Sequence, residues 1–571
     1  MMRFFNQLPA LLIGSLAVGA GLAAAEVRTQ PYVTDHEAFN LGDFGPRPNQ
    51  TFKTTKTFAP LFQVNQWYPE KSGLSRYLFM SSIAGDQPAT PFIIDTTNFS
   101  MVYGDPQWPA INNPRIQMFN EKPYFTFWEG SDYRGHGLGY CLLYDESYQL
   151  AYNISTKMIN TKVDSHECQL TDDGTALITA YERIPFDMTN APGGGPVDGW
   201  LLDSIFEEID IATGELKFLW RASEHFDISE TAINWGTGDY GAPTEEVGWD
   251  FFHINSMQKT KEGNFLVSGR RIKSLVYING KDGSVIWQLG GKHNQFEDLS
   301  GGNATNFGYQ HTARFLNDEM TEITLFDNHD LDPNNPSPGC REGTCSRGLH
   351  LRIDTGNMTA EVVHEYYHPM GIASWAMGGI QKLDNGNVFV SWGTTPVITE
   401  YTEDGEIVLD AMLGPWSDHP TNSQPVYRAW SMDWKASPKW KPSIAGDEDH
   451  AYISWNGATD VHSWDLMEGN TRENLTFTQN VKKSGYETTA PLSFSGNFLA
   501  ANALDANGNV LATTDVWDAA LGAVHEAGAV GYCKFGCGRL DDFDHMLVLL
   551  TAFAGIFLVI MWLARRRTRN L

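Results

Sequence analysis

Two short phrases alternate along the middle of the chain, and they restrict its fold more than any other feature. In the first, a polar turn rich in Asp, Gly and Asn runs into a β-rich segment: "DDGTALITAY" (172–181), "KEGNFLVSGR" (261–270) and "DNGNVFVSWG" (384–393). In the second, a similar turn leads into another strand: "IATGELKFLW" (211–220), "GKDGSVIWQL" (280–289), "DTGNMTAEVV" (354–363) and "TEDGEIVLDA" (402–411). Each reads as a hairpin turn entering a strand. Two alternating hairpin types with few helical periods between them describe four-stranded units, and a period of roughly 40–50 residues points to a β-propeller. The spacing is irregular, so insertions are expected at "APGGGPVDG" (191–199) and between Asp330 and Gly348.

The fold class expected is therefore all-β. A propeller occupies 70–434, preceded by an N-terminal segment (26–69). It is followed, after the linker "KASPKWKP" (435–442), by a small β-sandwich-like region within 435–515. A stalk, 516–545, then leads to the C-terminal end. Met1 to Ala25 reads as a secretory signal, with Arg3, an apolar run and small residues before Glu26. The uncharged apolar run 546–564 is about 28 Å long as a helix at ~1.5 Å per residue, enough to span a bilayer. The basic tail 565–571 after it, "RRRTRNL", places that tail in the cytosol and everything before the span outside, a single-pass type I arrangement in the secretory pathway.

Charge removes one class of partner. Forty Lys and Arg stand against 69 Asp and Glu, a net charge of -29, and such a surface repels nucleic acid. An exported chain oxidises its thiols. Sequence proximity pairs Cys340 with Cys345 and Cys533 with Cys537, leaving Cys141 to Cys168, although six Cys admit other pairings. No CxxC pair offers zinc a site. Sequons at Asn49, Asn98, Asn153, Asn303, Asn357 and Asn474 fit a glycosylated secretory protein.

Within "WDFFHINSMQ" (249–258), period-2 alternation puts Phe251, His253 and Asn255 on one face of a strand and Phe252, Ile254 and Ser256 on the other. In a propeller the innermost strands line a channel and ligands bind at its mouth, so His253 and Asn255 are expected to face it. His166 in "DSHECQLTDDG" and His311 in "YQHTARFLNDE" hold nearly the same relation to their own turns. One lone His is more often a hydrogen-bonded structural residue; three at one blade position converge on one mouth. The segment "FLVSGRRIK" adds Ser268 and Arg270 on one face and Arg271 on the other. Imidazoles with a guanidinium and an Asn suit a tetrahedral oxyanion, and a neutral imidazole can attack such a centre and leave again.

"WDFFHINSMQ", "GNFLVSGRR", "IWQLGGKHNQF", "YQHTARFLNDEMTEITLFDN" and "SWAMGGIQKLDNGNVFVSWG" together resemble the arylsulfotransferase (arylsulfate sulfotransferase) family, in its fungal membrane-tethered form, over about residues 70–465. The resemblance implies a six-bladed propeller. It also implies sulfuryl transfer from a phenolic sulfate ester to a phenol through a sulfohistidine, with no phosphoadenylyl sulfate and no cofactor. By position His311 matches the nucleophile, and His166 and His253 match the histidines that hold the sulfuryl oxygens and aid proton transfer. Asn255 matches a substrate-binding partner and Arg270 the family arginine, with Arg271 as the other choice. In bacterial members a β-sandwich precedes the propeller, whereas here the extra sandwich follows it. The abundant Trp and Phe, 18 and 32, supply material for an aryl pocket.

Other features have plainer readings. "FDNHDLDPNN" (326–335) has acidic residues suited to Ca²⁺ but reads as a solvated loop. His364 and His368 fall on strand and turn, so they form no helical metal pair. Trp375, Trp392 and Trp430 read as packing between blades. Two competing functions are a quinoprotein dehydrogenase, from the resemblance of "INGKDGSVIWQLGG" to the docking motif of those propellers, and a binding scaffold without catalysis.

Overall fold

The computed structural model describes residues 30–525 except 46, 83–88, 159, 237–243, 330–339, 341–344, 416–424 and 493–496. The signal segment, the apolar run 546–564, the basic tail, Cys533 and Cys537 lie outside the described residues. No helix among those described is long and apolar enough to cross a membrane.

Strands dominate, and every repeat phrase lands where its turn predicts. The first phrase joins the first two strands of a sheet: Cys168–Leu170 to Thr175–Phe186, Ile254–Lys259 to Phe265–Gly269, and Gly379–Lys382 to Val388–Ser391. The second joins the third strand to the fourth, as in Ser274–Ile278 to Val285–Gly290. Gly174, Gly263, Gly283 and Gly386 take positive φ in these turns, a conformation in which Gly has no steric penalty.

Among the described residues six sheets of this kind, antiparallel through their four central strands, follow one another. The second runs from Ile111–Phe119 through Lys122–Tyr133 and His136–Tyr144 to Leu150–Ile154. The third runs from Cys168–Leu170 to Leu216–Arg221, with "APGGGPVDG" inserted in its central hairpin; the fourth from Ile254–Lys259 to Val285–Gly290; and the fifth from His311–Phe315 to Thr359–Tyr366.

Strands from before and after the other sheets in sequence complete the remaining two. Trp430–Met432 supplies the first strand of the sheet made by Tyr77–Ser82, Thr90–Asp95 and Met101–Gly104. Phe62–Trp67 adds to the outer strand Ile407–Met412 of the sixth sheet, with Tyr32–Val33 beyond it. The expected N-terminal boundary at 69 therefore cuts through a sheet.

An apolar cluster fills each interface between neighbouring sheets. Phe206 and Trp220 of the third sheet pack with Phe265 and Val276 of the fourth. Leu275 and Trp287 of the fourth pack with Phe315 and Leu325 of the fifth. The ring closes where Phe389 and Leu409 of the sixth sheet meet Leu78 and Phe92 of the first. Alternating strand positions feed both neighbours, which gives a propeller-like ring.

Behind it, Ser443–Gly446, His450–Ser454 and Glu487–Pro491 face a six-stranded sheet across Ile453, Trp464, Leu466 and Leu499, a sandwich core. Val516–Asp518 pairs with Phe498–Leu504, and Ala523–His525 pairs with Val516–Asp518. Residues 516–525 thus belong to the sandwich and not to the expected stalk.

Disulfides join Cys141 to Cys168 and Cys340 to Cys345, as expected. The first ties the third strand of the second sheet to the first strand of the third. Asn153, Asn303, Asn357 and Asn474 are exposed, while Asn49 and Asn98 are half-buried. Trp392 is fully buried between the fifth and sixth sheets and Trp430 packs in the first interface, but Trp375 is only half-buried and belongs to the site below.

Candidate active site

His166 lies two residues before the strand Cys168–Leu170, His253 one residue before Ile254–Lys259, and His311 opens His311–Phe315. Each therefore enters the first strand of one of three successive sheets, which is the equivalence expected from the sequence.

The period-2 alternation expected across "WDFFHINSMQ" does not hold. Trp249–Asp250 pairs with the third sheet, His253 has φ 60, and the ladder slips between Ile254 and Ser256. Phe251 and Phe252 are buried in the same cluster. The turn at His253 replaces alternation as the device that aims the imidazole. Thr312 repeats the device with φ 55, inside a register shift of its own. A positive φ costs a non-glycine residue about 1–2 kcal/mol, and such strain collects at functional sites.

His166 and His253 meet edge on, Nε2 to Nε2, at 3.1 Å. Behind them, each Nδ1 faces a carboxylate: His166 at 2.6 Å from Asp164 Oδ2 and His253 at 2.5 Å from Asp250 Oδ2. Both Nδ1 atoms therefore carry hydrogen and donate. Burial alone would raise the Asp164 carboxyl, but the bonded His166 overrides it and holds it at about 2. Asp250 is likewise held well below the usual range against its burial, by His253 and Arg271. Burial drives His253 well below its ordinary value, against the pull of Asp250.

His136 and Arg271 also contact Asp250 Oδ2, each at 3.1 Å. His136, Asp250 and His253 place one donor atom each within 4.8 Å of the others, close enough to share a metal ion. The Arg271 guanidinium donates to the same oxygen and brings its own positive charge to that side. The trio is therefore read as a hydrogen-bonded array.

His311 has a different support. Its Nδ1 donates to Asn328 Oδ1 at 2.6 Å, and the Asn328 amide is oriented by donating to Ser374 O and Met377 O. The Nε2 lone pair accepts a hydrogen bond from the Met377 N–H at 3.3 Å, which a substrate must displace. Burial first, then Arg270, pushes His311 well below its ordinary value, against the Asn328 bond. The imidazole is neutral over a wide pH range. Tyr427 stands between the groups, its ring centroid 6.0 Å from His166 and 6.5 Å from His311.

The two arginines separate. Arg270 lies over the Tyr309 ring at 5.0 Å and donates to Trp375 O, and its charge acts on both His253 and His311. Arg271 is committed to Asp250. Asn255 donates to Gln310 O at 2.6 Å, linking the fourth sheet to the residue before His311, while its buried Oδ1 has no partner among the described residues.

His136, Asp164, Asp250, Asn328 and Tyr427 were not legible as site residues. "DSH" and "DFFH" did carry a local signal, an Asp two or three residues before a His. Asn328 closes the quoted segment "YQHTARFLNDEMTEITLFDN" without being singled out there, and Tyr427, from a distant segment, had no signal. Elsewhere, Asp327 of the acidic segment is taken up by Arg347 and by the Gly308 and His329 N–H groups. The rest of that segment, from 330 on, lies outside the described residues. His364 is on a strand and His368 pairs with Asp410 at 3.0 Å.

A model of the arylsulfotransferase (ASST) family matches residues 115–414, which span all three histidines and both arginines. No curated protein sequence matches the chain. Among solved structures, a protein of unknown function from Bacteroides caccae shares 11% identity, covering 62% of this chain and 98% of its own, with a TM-score of 0.36. Dihydro-heme d1 dehydrogenase NirN shares 13% identity over 81% of this chain and 74% of its own, with a TM-score of 0.26. Virginiamycin B lyase from Staphylococcus aureus shares 10% over 62% and 83%, with a TM-score of 0.21. At these scores the likenesses carry no functional weight.

Proposed function

The chain belongs to the arylsulfotransferase family, and from that premise we propose that it carries a sulfuryl group from a phenolic sulfate ester to a phenol by way of a sulfohistidine on His311, without phosphoadenylyl sulfate. The observation that carries this reading is that His253 meets His166 while His166 and His311 both stand beside Tyr427, each histidine at the entrance of its sheet's first strand.

In the first half-reaction His311 Nε2 attacks sulfur, an N–S bond forms and the ester O–S bond breaks. Charge grows on the leaving phenolate and on the sulfuryl oxygens. Arg270 and the His166–His253 pair are placed to stabilise it. The hydrogen between the two Nε2 atoms passes to the phenolate oxygen, so the product leaves as a neutral phenol. In the second half-reaction the acceptor phenol returns a proton to the pair as its oxygen attacks sulfur. The N–S bond then breaks and neutral His311 is restored. The Tyr309 ring under Arg270 and the half-buried Trp375, whose carbonyl Arg270 bonds, offer apolar surface for an aryl ring.

In this reading the ring is a six-bladed propeller held outside the cytosol. The two disulfides support an oxidising compartment.

The test is intact mass of the protein after incubation with an aryl sulfate, together with phenol release, for wild type and His311→Ala. A gain of about 80 Da in wild type alone is the expected result. Phenol release undiminished in the variant would sink the proposal.

A further inference from the structure

Beneath the histidines the axis of the ring is closed by charge. Glu167, the residue after His166, is fully buried, and guanidinium groups from three other parts of the ring converge on its carboxylate. Arg115 of the second sheet bonds Oε1 at 2.9 Å, while Arg428, just before the first sheet's inner strand, bonds Oε2 at 3.1 Å. Arg314, on the same strand as His311, also bonds Oε2. Arg428 donates in addition to Asn255 O, and Arg115 to Cys168 O. Three buried cations thus share one carboxylate, and the Nε atoms of Arg115 and Arg428 have no hydrogen-bond partner among the described residues. The floor of the site keeps a surplus of two positive charges.

We infer that Arg115, Arg314 and Arg428, gathered on Glu167, are positioning residues whose surplus charge keeps His311 in its neutral, nucleophilic form. This rests on His311 as the nucleophile, the reading proposed above. The contrast with its neighbours supports it, because His166 and His253 each lean on a carboxylate whereas His311 leans on the amide of Asn328. The groups facing His311 are Arg270, Arg428, His166, the Tyr427 ring, Asn328 and the Met377 N–H. Two of these, Arg270 and Arg428, are guanidinium cations. A protonated His311 would face cations from the floor and the wall together. Burial, Arg270 and Arg428 all depress its proton affinity, in the same sense as the geometry.

The test is the titration of His311, read by NMR of histidine labelled with ¹³C at Cε1 and assigned with His311→Gln. In Arg428→Gln the His311 midpoint is expected to rise by about one pH unit, a tenfold gain in proton affinity. Arg428→Lys, which keeps the charge, is expected to restore it. Arg314→Gln tests the same floor at its more exposed member and serves if Arg428→Gln does not fold. The acid limb of phenol release should move with the midpoint, whereas a purely structural role would lower the rate equally at every pH. An unmoved midpoint in a folded Gln variant overturns the inference. A midpoint that moves while no protein, wild type included, releases phenol from aryl sulfates upholds the floor and removes the proposed reaction instead.

Discussion

His166 Nε2 and His253 Nε2 lie 3.1 Å apart while each ring's other nitrogen is held by its own aspartate. Two lone pairs cannot face each other at that distance, so a hydrogen lies between the two Nε2 atoms, the one the pair can hand on.

Replacing Asp164 or Asp250 by Asn keeps the shape and removes the acceptor that fixes the Nδ1–H tautomer. Phenol release should fall by roughly 10²–10⁴-fold in either variant, by analogy with a triad aspartate. Steady-state rates across pH check this, and loss of under threefold would mean the carboxylates are structural only.

Asn328 orients His311 through one hydrogen bond. Asn328→Ala should cut the rate of sulfohistidine formation by about 10²-fold while leaving the thermal midpoint within a few degrees, because the amide's remaining bonds are to loop carbonyls. Single-turnover mass spectrometry measures the first and calorimetry the second.

Acid should unfold this protein in two stages. His253 and His311 have depressed folded values, so the unfolded chain binds protons first and stability falls as pH drops below about 6.5. Asp164 and Glu167 are held at about 2. Their contribution is present above the unfolded carboxylate range and is lost as pH falls from about 4.5 toward 2. Urea midpoints between pH 8 and 3 test this, and a flat profile from 7 to 5 would contradict the histidine part.

The Cys141–Cys168 bridge closes a loop with a sequence separation of 27 residues. Its removal as Cys141→Ala/Cys168→Ala should cost about 3–4 kcal/mol, and activity should fall as well, since Cys168 stands two residues from His166. Denaturant titration of the double variant against wild type gives the first number directly.

Glu167→Gln leaves three buried guanidinium groups without a carboxylate. Breaking a buried pair in this way costs about 3–5 kcal/mol, so the variant should lose a large part of its stability; a thermal midpoint unchanged within a degree would mean that water already screens the cluster.

The architecture was more legible than the chemistry. Turn glycines such as Gly174 and Gly283 and the apolar runs after them are local features, so the hairpins could be placed from sequence. His166, His253 and His311 were legible because the repeats put them at one position. The reason given for His253 was wrong, since a left-handed turn aims it and not strand alternation. A positive φ at a histidine has no sequence mark. Tyr427 and the Glu167 cluster were hidden for another cause: their partners are far apart in the chain, and only closure of the ring brings them together, whereas Asn328 reaches His311 from the end of the neighbouring strand of the same sheet.

That closure also sets an order of events during synthesis. The sheet around Tyr77–Ser82 waits for Trp430–Met432 as its first strand, so its edge stays open until most of the polypeptide has left the ribosome. At roughly 5–20 residues per second that interval is on the order of tens of seconds. Nascent chains stalled before residue 430 therefore present an unpaired β-edge, and they are the species that holdase chaperones should bind.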